Sequence, residues 1–573
     1  MSPETRRRLR RPGRTSGLLN LGIAVAVLAI LLPLLLNAAT SAPPTASEFS
    51  PNATQVIKTP PPGEAASTNG QGKGGVGPGT PTPTPTPTPT KTEQISSNLL
   101  KQCVGPPPLR QIGDPQSPPC IAYWKGDNGG ATSQGVTSDA IYIAVPTPES
   151  KEAQYKALFN FFNDRFEFYG RKMIPEFCNA SYSGSADQAT QVADAATSAT
   201  GCNGSKPKPF ASTMYREGNN GSYYIPEMAC RYHVISLGSY APFDSKFMDR
   251  CAPYEWQYPM LADNEFANIG EWACNRLAGR TASYGGTSSV RLGGKPLNKL
   301  PRKFGILLEP FTDDDPMDRP GALDPLTSRL KACGAPVASR DAIINPVTGE
   351  FDPASAQNAV LQLKNDGVTS IICLCNFFSF GTLGRAAAAS AYTPEWISST
   401  IGLNDVDSSF ILGADLGSQL QHTFGVTFQP RIVPPLENPY NVALQEGDPS
   451  QAPDTTVLVE GEEEIYRALL LIASGIQMAG PHLTPQTFAA GLEKTRFPNP
   501  ITSTHAGAVG FHDNGYSMTD DGAEWWYDVN AVGPFSDSAA HRGTVCYLNG
   551  GRRYTLGNWP RGPAPFFQGR CDS

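Results

Sequence analysis

This sequence predicts an α/β protein built on parallel sheets, and three observations lead there. First, Ile141-Tyr142-Ile143-Ala144-Val145 is a short apolar, β-branched run stopped by Pro146 and Pro148, the pattern of a strand buried on both faces. Second, over residues 151–169 the side chains Tyr155, Leu158, Phe162, Phe166 and Tyr169 recur at helical spacing, and Phe159 and Phe161 widen the face. Gly170 ends that helix and residues 171–178 turn extended again, which completes a βαβ unit. Third, two later segments share one grammar. Asp324 caps a helix with Pro325 at its first position, Leu326 and Leu330 facing inward and Gly334 as the stop; Asp352, Pro353, Ala356, Ala359, Val360, Leu363 and Gly367 repeat that order.

The chain opens on a different material. Six arginines against Glu4 leave residues 1–14 at +5, so the remainder of this chain of net charge −7 carries −12. That balance argues against a nucleic-acid partner for the remainder. From Leu18 to Leu36 no charge occurs, and at ~1.5 Å per residue this run spans roughly 28 Å, close to a bilayer core. The arginines before it keep the N-terminus cytoplasmic and place the rest outside. The length of the run favours a retained anchor, while Ala39-Thr40-Ser41 offers a small-residue site for cleavage of a signal. Residues 38–102 follow as a linker poor in large apolar side chains. Its Thr-Pro repeat over residues 80–90 drives polyproline II at about 3.1 Å per residue, a stiff spacer of roughly 34 Å.

Residues 103–135 read as a Pro/Gly-rich lead-in pinned by a disulfide. Beyond the βαβ unit, helices are expected at residues 186–199, 223–230 and 265–277, and strands at 210–213, 233–237 and 304–308. Residues 371–375 and 424–428 are further apolar strands, and an Ala-rich helix spans 384–392. Ile465, Leu469, Ile472, Ile476 and Ala479 mark a long helix, with Glu462-Glu463-Glu464 at its favoured N-terminal end. Thr484-Pro485 starts another helix. Residues 509–530 read as strand, Asp513-Asn514-Gly515 turn, strand. The tail from residue 536 has no periodicity.

Twelve cysteines in an exported chain favour disulfides over metal, and no spacing resembles a zinc ribbon. Local pairing suggests Cys103–Cys120, Cys178–Cys202, Cys230–Cys251, Cys274–Cys333 and Cys546–Cys571, although sequence alone leaves connectivity open. Cys373 and Cys375 share one face of a strand with Cα atoms near the limit for bridging, and are expected to be two buried thiols.

From residue 136 to about 530 the order of elements resembles the type I periplasmic solute-binding proteins, in particular the leucine/isoleucine/valine-binding family. The resemblance is carried by the first strand with Gly170-Arg171-Lys172-Met173, by Val234-Ile235-Ser236-Leu237-Gly238-Ser239, by Arg302-Lys303-Phe304-Gly305-Ile306-Leu307-Leu308, by Asp366-Gly367-Val368-Thr369-Ser370-Ile371-Ile372, and by Gly510-Phe511-His512-Asp513-Asn514-Gly515. It implies two lobes, each a parallel sheet with helices on both faces, here 136–258 plus 431–507 and 259–430 plus 508–535, joined by three crossing segments. Residues 536–573 would be a disulfide-pinned tail outside that plan. The Thr-Pro spacer, the apolar segment in place of a lipid-modified Cys, and the many cysteines all depart from the family.

The resemblance also implies a ligand cleft at the carboxyl ends of the strands. Ser222, in Asn220-Gly221-Ser222, falls where the family offers a hydroxyl and backbone N–H groups to a ligand carboxylate. Gly238, Ser239 and Tyr240 fall at further carboxylate contacts, with Tyr240 in place of a smaller residue. Phe311, Thr312 and Asp313 follow one strand of the second lobe, and Asn376, Phe377 and Phe378 another, where the family closes aromatic rings over its ligand. Asp405 lies near the family's ammonium-binding acid. The implied activity is capture of a small polar ligand, an amino acid or amide-like solute, without cofactor or metal, for an ABC permease or a membrane sensor. A surface sensor or adhesion module on the same fold is the alternative. A secreted hydrolase ranks lower, because the chain has no Gly-x-Ser-x-Gly elbow, no His-Glu-x-x-His and no Walker-type phosphate loop.

Overall fold

Two parallel sheets with one strand order organise the computed structural model. It describes residues 101–105, 107, 109–178, 188–215, 223–238, 243–287, 291–292, 294–308, 321–343, 353–375, 377–401, 405–407, 416–456, 459–494, 510–511, 515–535, 542–568 and 571. The apolar run from Leu18 to Leu36 and the Thr-Pro spacer lie outside these residues. No helix among the described residues is long and apolar enough to cross a membrane.

In the first sheet β1 (Ala140–Pro146) lies between β2 (Lys172–Cys178) and β3 (Ala211–Ser212), parallel to both. A parallel bridge from Ala211 to Ile235 continues the sheet to β4 (Ser236–Gly238), which pairs in parallel with β5 (Glu255–Gln257). After a small hairpin, β6 (Arg291–Leu292) with β7 (Lys295–Pro296), the plan repeats. β8 (Phe304–Leu308), β9 (Ser339–Ile343), β10 (Ser370–Leu374), β11 (Glu395–Ser398) and β12 (Thr423–Thr427) run parallel in the order β9-β8-β10-β11-β12. Both sheets therefore have the doubly wound 2-1-3-4-5 order, in which the chain reverses direction across the sheet beside the first strand. The second sheet is then extended by antiparallel β13 (Asp521–Asp528), β14 (Thr544–Tyr547) and β15 (Arg553–Thr555).

The apolar runs explain these strands. Along β8 and β10, Ile306, Leu308, Ile372 and Leu374 face one core, while Leu307, Ile371 and Cys373 face another, so the second sheet is covered on both sides. The first lobe has one large core that joins Ile141, Ile143 and Val145 to the Glu152–Arg165 and Val459–Ala479 helices. On the Glu152–Arg165 helix, Tyr155, Leu158, Phe159 and Phe162 are fully buried. At about 1.5–3 kcal/mol for each large apolar side chain, this face contributes on the order of 6–12 kcal/mol before entropy. The Asp324–Ala332 and Pro353–Asn365 helices bury the apolar positions expected of them. Gly334 and Gly367 end them with φ of +78° and +72°, a conformation that costs glycine nothing.

Several strands carry a buried carboxylate where a core residue would be expected. Glu395 in β11 accepts both Nε and Nη2 of Arg302 at 2.7 Å and the Ser370 hydroxyl. Glu524 in β13 accepts the fork of Arg276 at 2.7 and 2.6 Å and the Trp272 indole N–H. Glu255 in β5 is fully buried, and neither of its oxygens has a hydrogen-bond partner among the described residues. Burial pushes its carboxyl up to about 8, against the pull of Arg250.

Several expectations need correction. Phe511, Tyr516 and Met518, inside the stretch 508–535 expected in the second lobe, pack in the first core. The tail is not only pinned: β14 and β15 are strands of the second sheet. The helix expected at 384–392 spans Phe377–Ala389; Gly381 and Gly384, poor helix formers, obscured its first turns in the sequence. The helix expected at 223–230 is a single α turn, Tyr224–Pro226, that widens into a π-type turn over Glu227–Arg231. All five local disulfides are formed. Cys373 and Cys375, expected as thiols, are also bonded. Cys375 lies just past the end of β10, and the chain there departs from full extension, which brings the two Cα atoms to 5.3 Å.

Candidate functional site

The crossing segments locate the site. The first leaves the carboxyl end of β5 and enters the Ala262–Arg276 helix of the second lobe. The second leaves the carboxyl end of β12 and returns to the Pro439–Gly447 helix, which packs on the Glu152–Arg165 helix. The third runs from Ser517, bridged in parallel to Gln257, into β13, which pairs antiparallel with β12. All three therefore meet the sheets at the carboxyl ends of parallel strands, and the loops after β3, β4, β8 and β10 share that side. Open α/β sheets bind ligands there.

Most expected ligand contacts sit on those loops. Ser222, Ser239, Tyr240, Phe311, Thr312, Asp313 and Asn376 lie outside the described residues. Phe377 is described by its backbone alone, as the first residue of the Phe377–Ala389 helix. Gly238 and Asp405 are fully described. Gly238 ends β4 and is buried, and a Cβ there would meet the Gln257 side chain at 2.9 Å. Its lack of a side chain thus serves packing inside the lobe.

Asp405 is 1% exposed and receives the Thr400 hydroxyl at 2.6 Å, while Thr400 Oγ1 accepts the Phe428 N–H at 2.8 Å. Burial pushes its carboxyl up to about 6, against hydrogen bonds from Thr400 and Thr427. Beside it the fully buried Glu265 accepts the Ile401 N–H at 3.1 Å, and burial pushes that carboxyl up to about 8. Through Thr400, Asp405 holds the loop after β11 to the start of the second crossing segment, and Glu265 holds it to the Ala262–Arg276 helix. Among the described residues Asp405 is thus enclosed, with its Oδ1 buried and without a hydrogen-bond partner.

The anion site expected at the helix after Ser222 is also altered. Gln191 Oε1 accepts the N–H groups of Tyr223 and Tyr224 at 3.1 and 3.2 Å, so these donors are already used. Tyr224 stacks on Tyr215 with ring centroids 4.7 Å apart, and its hydroxyl meets Ser212 Oγ at 2.8 Å. Sequence reasoning missed Gln191, and it missed Gln257. The Gln257 amide accepts the Phe243 N–H and donates to the carbonyls of Pro259 and Met260, tying the loop after β4 to the first crossing segment. No local pattern marks either glutamine, because their partners lie in other elements.

A cavity of about 360 Å³ lies elsewhere, between the lead-in and the helices of the first lobe, with Ile112, Asp114, Phe161, Arg165, Val442 and Tyr466 among its walls. Its charged walls are largely occupied: Arg165 pairs with Glu446, and Asp114 with Arg467, each at 2.5 Å. Among the described residues no group of three His, Cys, Asp or Glu side chains is placed to hold a metal ion.

No family model and no curated protein matches the sequence. Solved structures are similar in shape at low identity. A fatty acid ABC transporter substrate-binding protein from Thermomonospora curvata is 13% identical, over 77% of this chain and 99% of that one, with a TM-score of 0.49. A leucine-binding protein from Thermotoga maritima is 11% identical, over 71% and 97%, with a TM-score of 0.46. A possible leucine/isoleucine/valine-binding protein from Rhodopirellula baltica is 10% identical, over 72% and 97%, with a TM-score of 0.44.

Proposed function

We propose that this chain captures a small polar solute between its lobes, without chemical turnover, on the outer side of a membrane to which the run from Leu18 to Leu36 tethers it, and presents it to an ABC-type importer. One observation carries the reading: two sheets of identical 2-1-3-4-5 order are joined by three segments at their carboxyl ends. That plan puts a strand-end crevice of each lobe on the shared side and lets the lobes move about the crossing segments. The enclosure of Asp405 and the occupation of the Tyr223 and Tyr224 N–H groups weigh against a free amino acid held in the family's manner. They favour a neutral, amide-like solute held by the loops that carry Ser239, Tyr240, Phe311 and Asn376.

A thermal scan of the purified chain against amino acids, amides, small acids and sugars tests the reading. A ligand at 100-fold its dissociation constant adds ~2.7 kcal/mol, a shift of a few degrees for lobes of this size. Ser239→Ala with Tyr240→Ala should abolish the shift and leave the unliganded Tm in place. A panel with no hit would sink solute capture and leave the surface-sensor alternative, and consumption of a hit would mean an enzyme. Protease shaving of wall-stripped cells tests the tether: cleavage within 40–100 should release the two-lobed part, and protection of that stretch would refute it.

A further inference from the structure

The two parts of the chain that fall outside the two-lobe plan, the lead-in and the C-terminal extension, both end on the hinge. Arg553, in β15 of the extension, is 4% exposed. Its Nε donates to Asp521 Oδ1 at 2.7 Å and its Nη2 to the Asp521 carbonyl at 2.8 Å. Nη1 donates to the Gln429 carbonyl at 2.8 Å and Nη2 also reaches the Phe428 carbonyl at 3.3 Å. One guanidinium thus joins the second crossing segment to the end of the third. A guanidinium fork is planar and charged, so these contacts are directional and stronger than neutral ones.

On the other side of the joint, Gln116 of the lead-in is fully buried. Its Nε2 donates to the Met518 carbonyl at 3.2 Å and reaches Thr519 Oγ1 at 3.5 Å, both on the third crossing segment. Its Oε1 accepts from Arg467, which Asp114 and Glu463 hold in the Val459–Ala479 helix of the first lobe. Between the two grips the crossing segments are tied to each other. The Tyr258 hydroxyl donates to Gln429 Oε1 at 2.5 Å, and Thr519 Oγ1 donates to the Tyr258 carbonyl at 3.1 Å. Arg467 of the first lobe and Arg553 of the second both act electrostatically on the Tyr258 ring hydroxyl.

We propose that Arg553 and Gln116 are positioning residues that set the angle between the lobes, so that the two extensions brace the hinge and limit its opening. Bare crossing segments would bend wherever their backbone torsions allow. Here any opening that separates the second segment from the third must break several bonds to one buried guanidinium. Motion of the third segment away from the first lobe must break the Gln116 contacts. The proposal rests on the hinge geometry alone and not on the existence of a ligand, so a negative solute screen leaves it standing.

The test measures interlobe distance in the unliganded full chain. Spin labels are attached to p-acetylphenylalanine placed at Lys172 in the first lobe and Leu361 in the second, both exposed, and distances are read by double electron–electron resonance. Asp521→Asn with Arg553→Met removes the grip without stranding a buried charge, since a buried ion pair can be replaced by neutral side chains of similar volume. Gln116→Leu removes the second grip. The original chain should give one narrow distribution, and each variant a broader one with a second, displaced maximum. Distributions that superimpose on the original in both variants, with circular dichroism unchanged, would overturn the proposal. If the double variant does not fold, Arg553→Lys replaces it. That variant keeps the charge beside Asp521 and loses the fork to the two carbonyls, and the same two outcomes decide.

Discussion

Replacing Glu255 by Gln should change how the stability of the first lobe depends on pH. An unperturbed carboxyl titrates near 4.5, and in the folded chain burial raises that of Glu255 to about 8. Because the folded value is raised, no penalty exists below 4.5, where both states hold the proton. Between the two values the unfolded chain releases a proton that the folded chain keeps, and stability falls by about 1.4 kcal/mol per pH unit. From pH 4.5 to pH 7 the loss comes to about 3 kcal/mol, and it levels off above 8. The amide that replaces the carboxyl does not titrate, so this part of the slope disappears in the variant. It also brings buried donors of its own, whose cost is the same at every pH. The informative quantity is therefore the difference between variant and original chain, not its value at one pH. Glu265, also raised to about 8, stays in both proteins and cancels. Tm measured from pH 4.5 to 7 should rise for Glu255→Gln relative to the original by about 6–12 °C across that window, at 2–4 °C per kcal/mol for a lobe of this size. Two curves that run parallel over the whole window would refute the reasoning, since they would mean that Glu255 meets a counter-charge or solvent.

Two further outcomes follow from the second lobe. Glu395→Gln strands the buried Arg302 guanidinium, whose side chain is 2% exposed, and should cost about 3–5 kcal/mol in urea unfolding, whereas Arg302→Met with Glu395→Leu should cost less; a double variant weaker than the single one would contradict this. Removing the Cys274–Cys333 bridge, which closes a separation of 59 residues, by serine at both positions should cost roughly 4 kcal/mol by the chain-entropy relation, read as a lower denaturation midpoint under non-reducing conditions.

The strands and helices most plainly legible in the sequence carry a continuous or periodic set of apolar residues. β1, β8 and β10 are apolar runs, and the Gly stops of two helices are local chemistry; Asp324, expected as a cap, is instead the first residue of its helix and makes no cap hydrogen bond, and Asp352 lies outside the described residues. β5 and β11 escaped because Glu255 and Glu395 occupy core positions. A buried carboxylate reads as a surface residue until its partner is known, and the partner of Glu395, Arg302, stands 93 residues away. The same holds for Glu524 in β13, neutralised by Arg276 from 248 residues upstream. At the candidate site, the strand-end location was implied by the resemblance in the order of elements. What the order could not convey is that Gln191 would occupy the helix N–H groups meant for a ligand, or that Thr400 would enclose Asp405. Both results depend on side chains from separate elements arriving at one point, and no spacing within either element records it.

Each lobe is assembled from distant parts of the chain, and this affects its synthesis. The Glu152–Arg165 helix and β1 share their core with the Val459–Ala479 helix. At about 5–20 residues per second, roughly 15–60 s separate the emergence of the two helices. During that interval the core of the first sheet lacks the Val459–Ala479 helix that completes it, while Cys178 and Cys202, separated by 24 residues, are already both present. Closure of this local pair therefore does not depend on the arrival of the Val459–Ala479 helix.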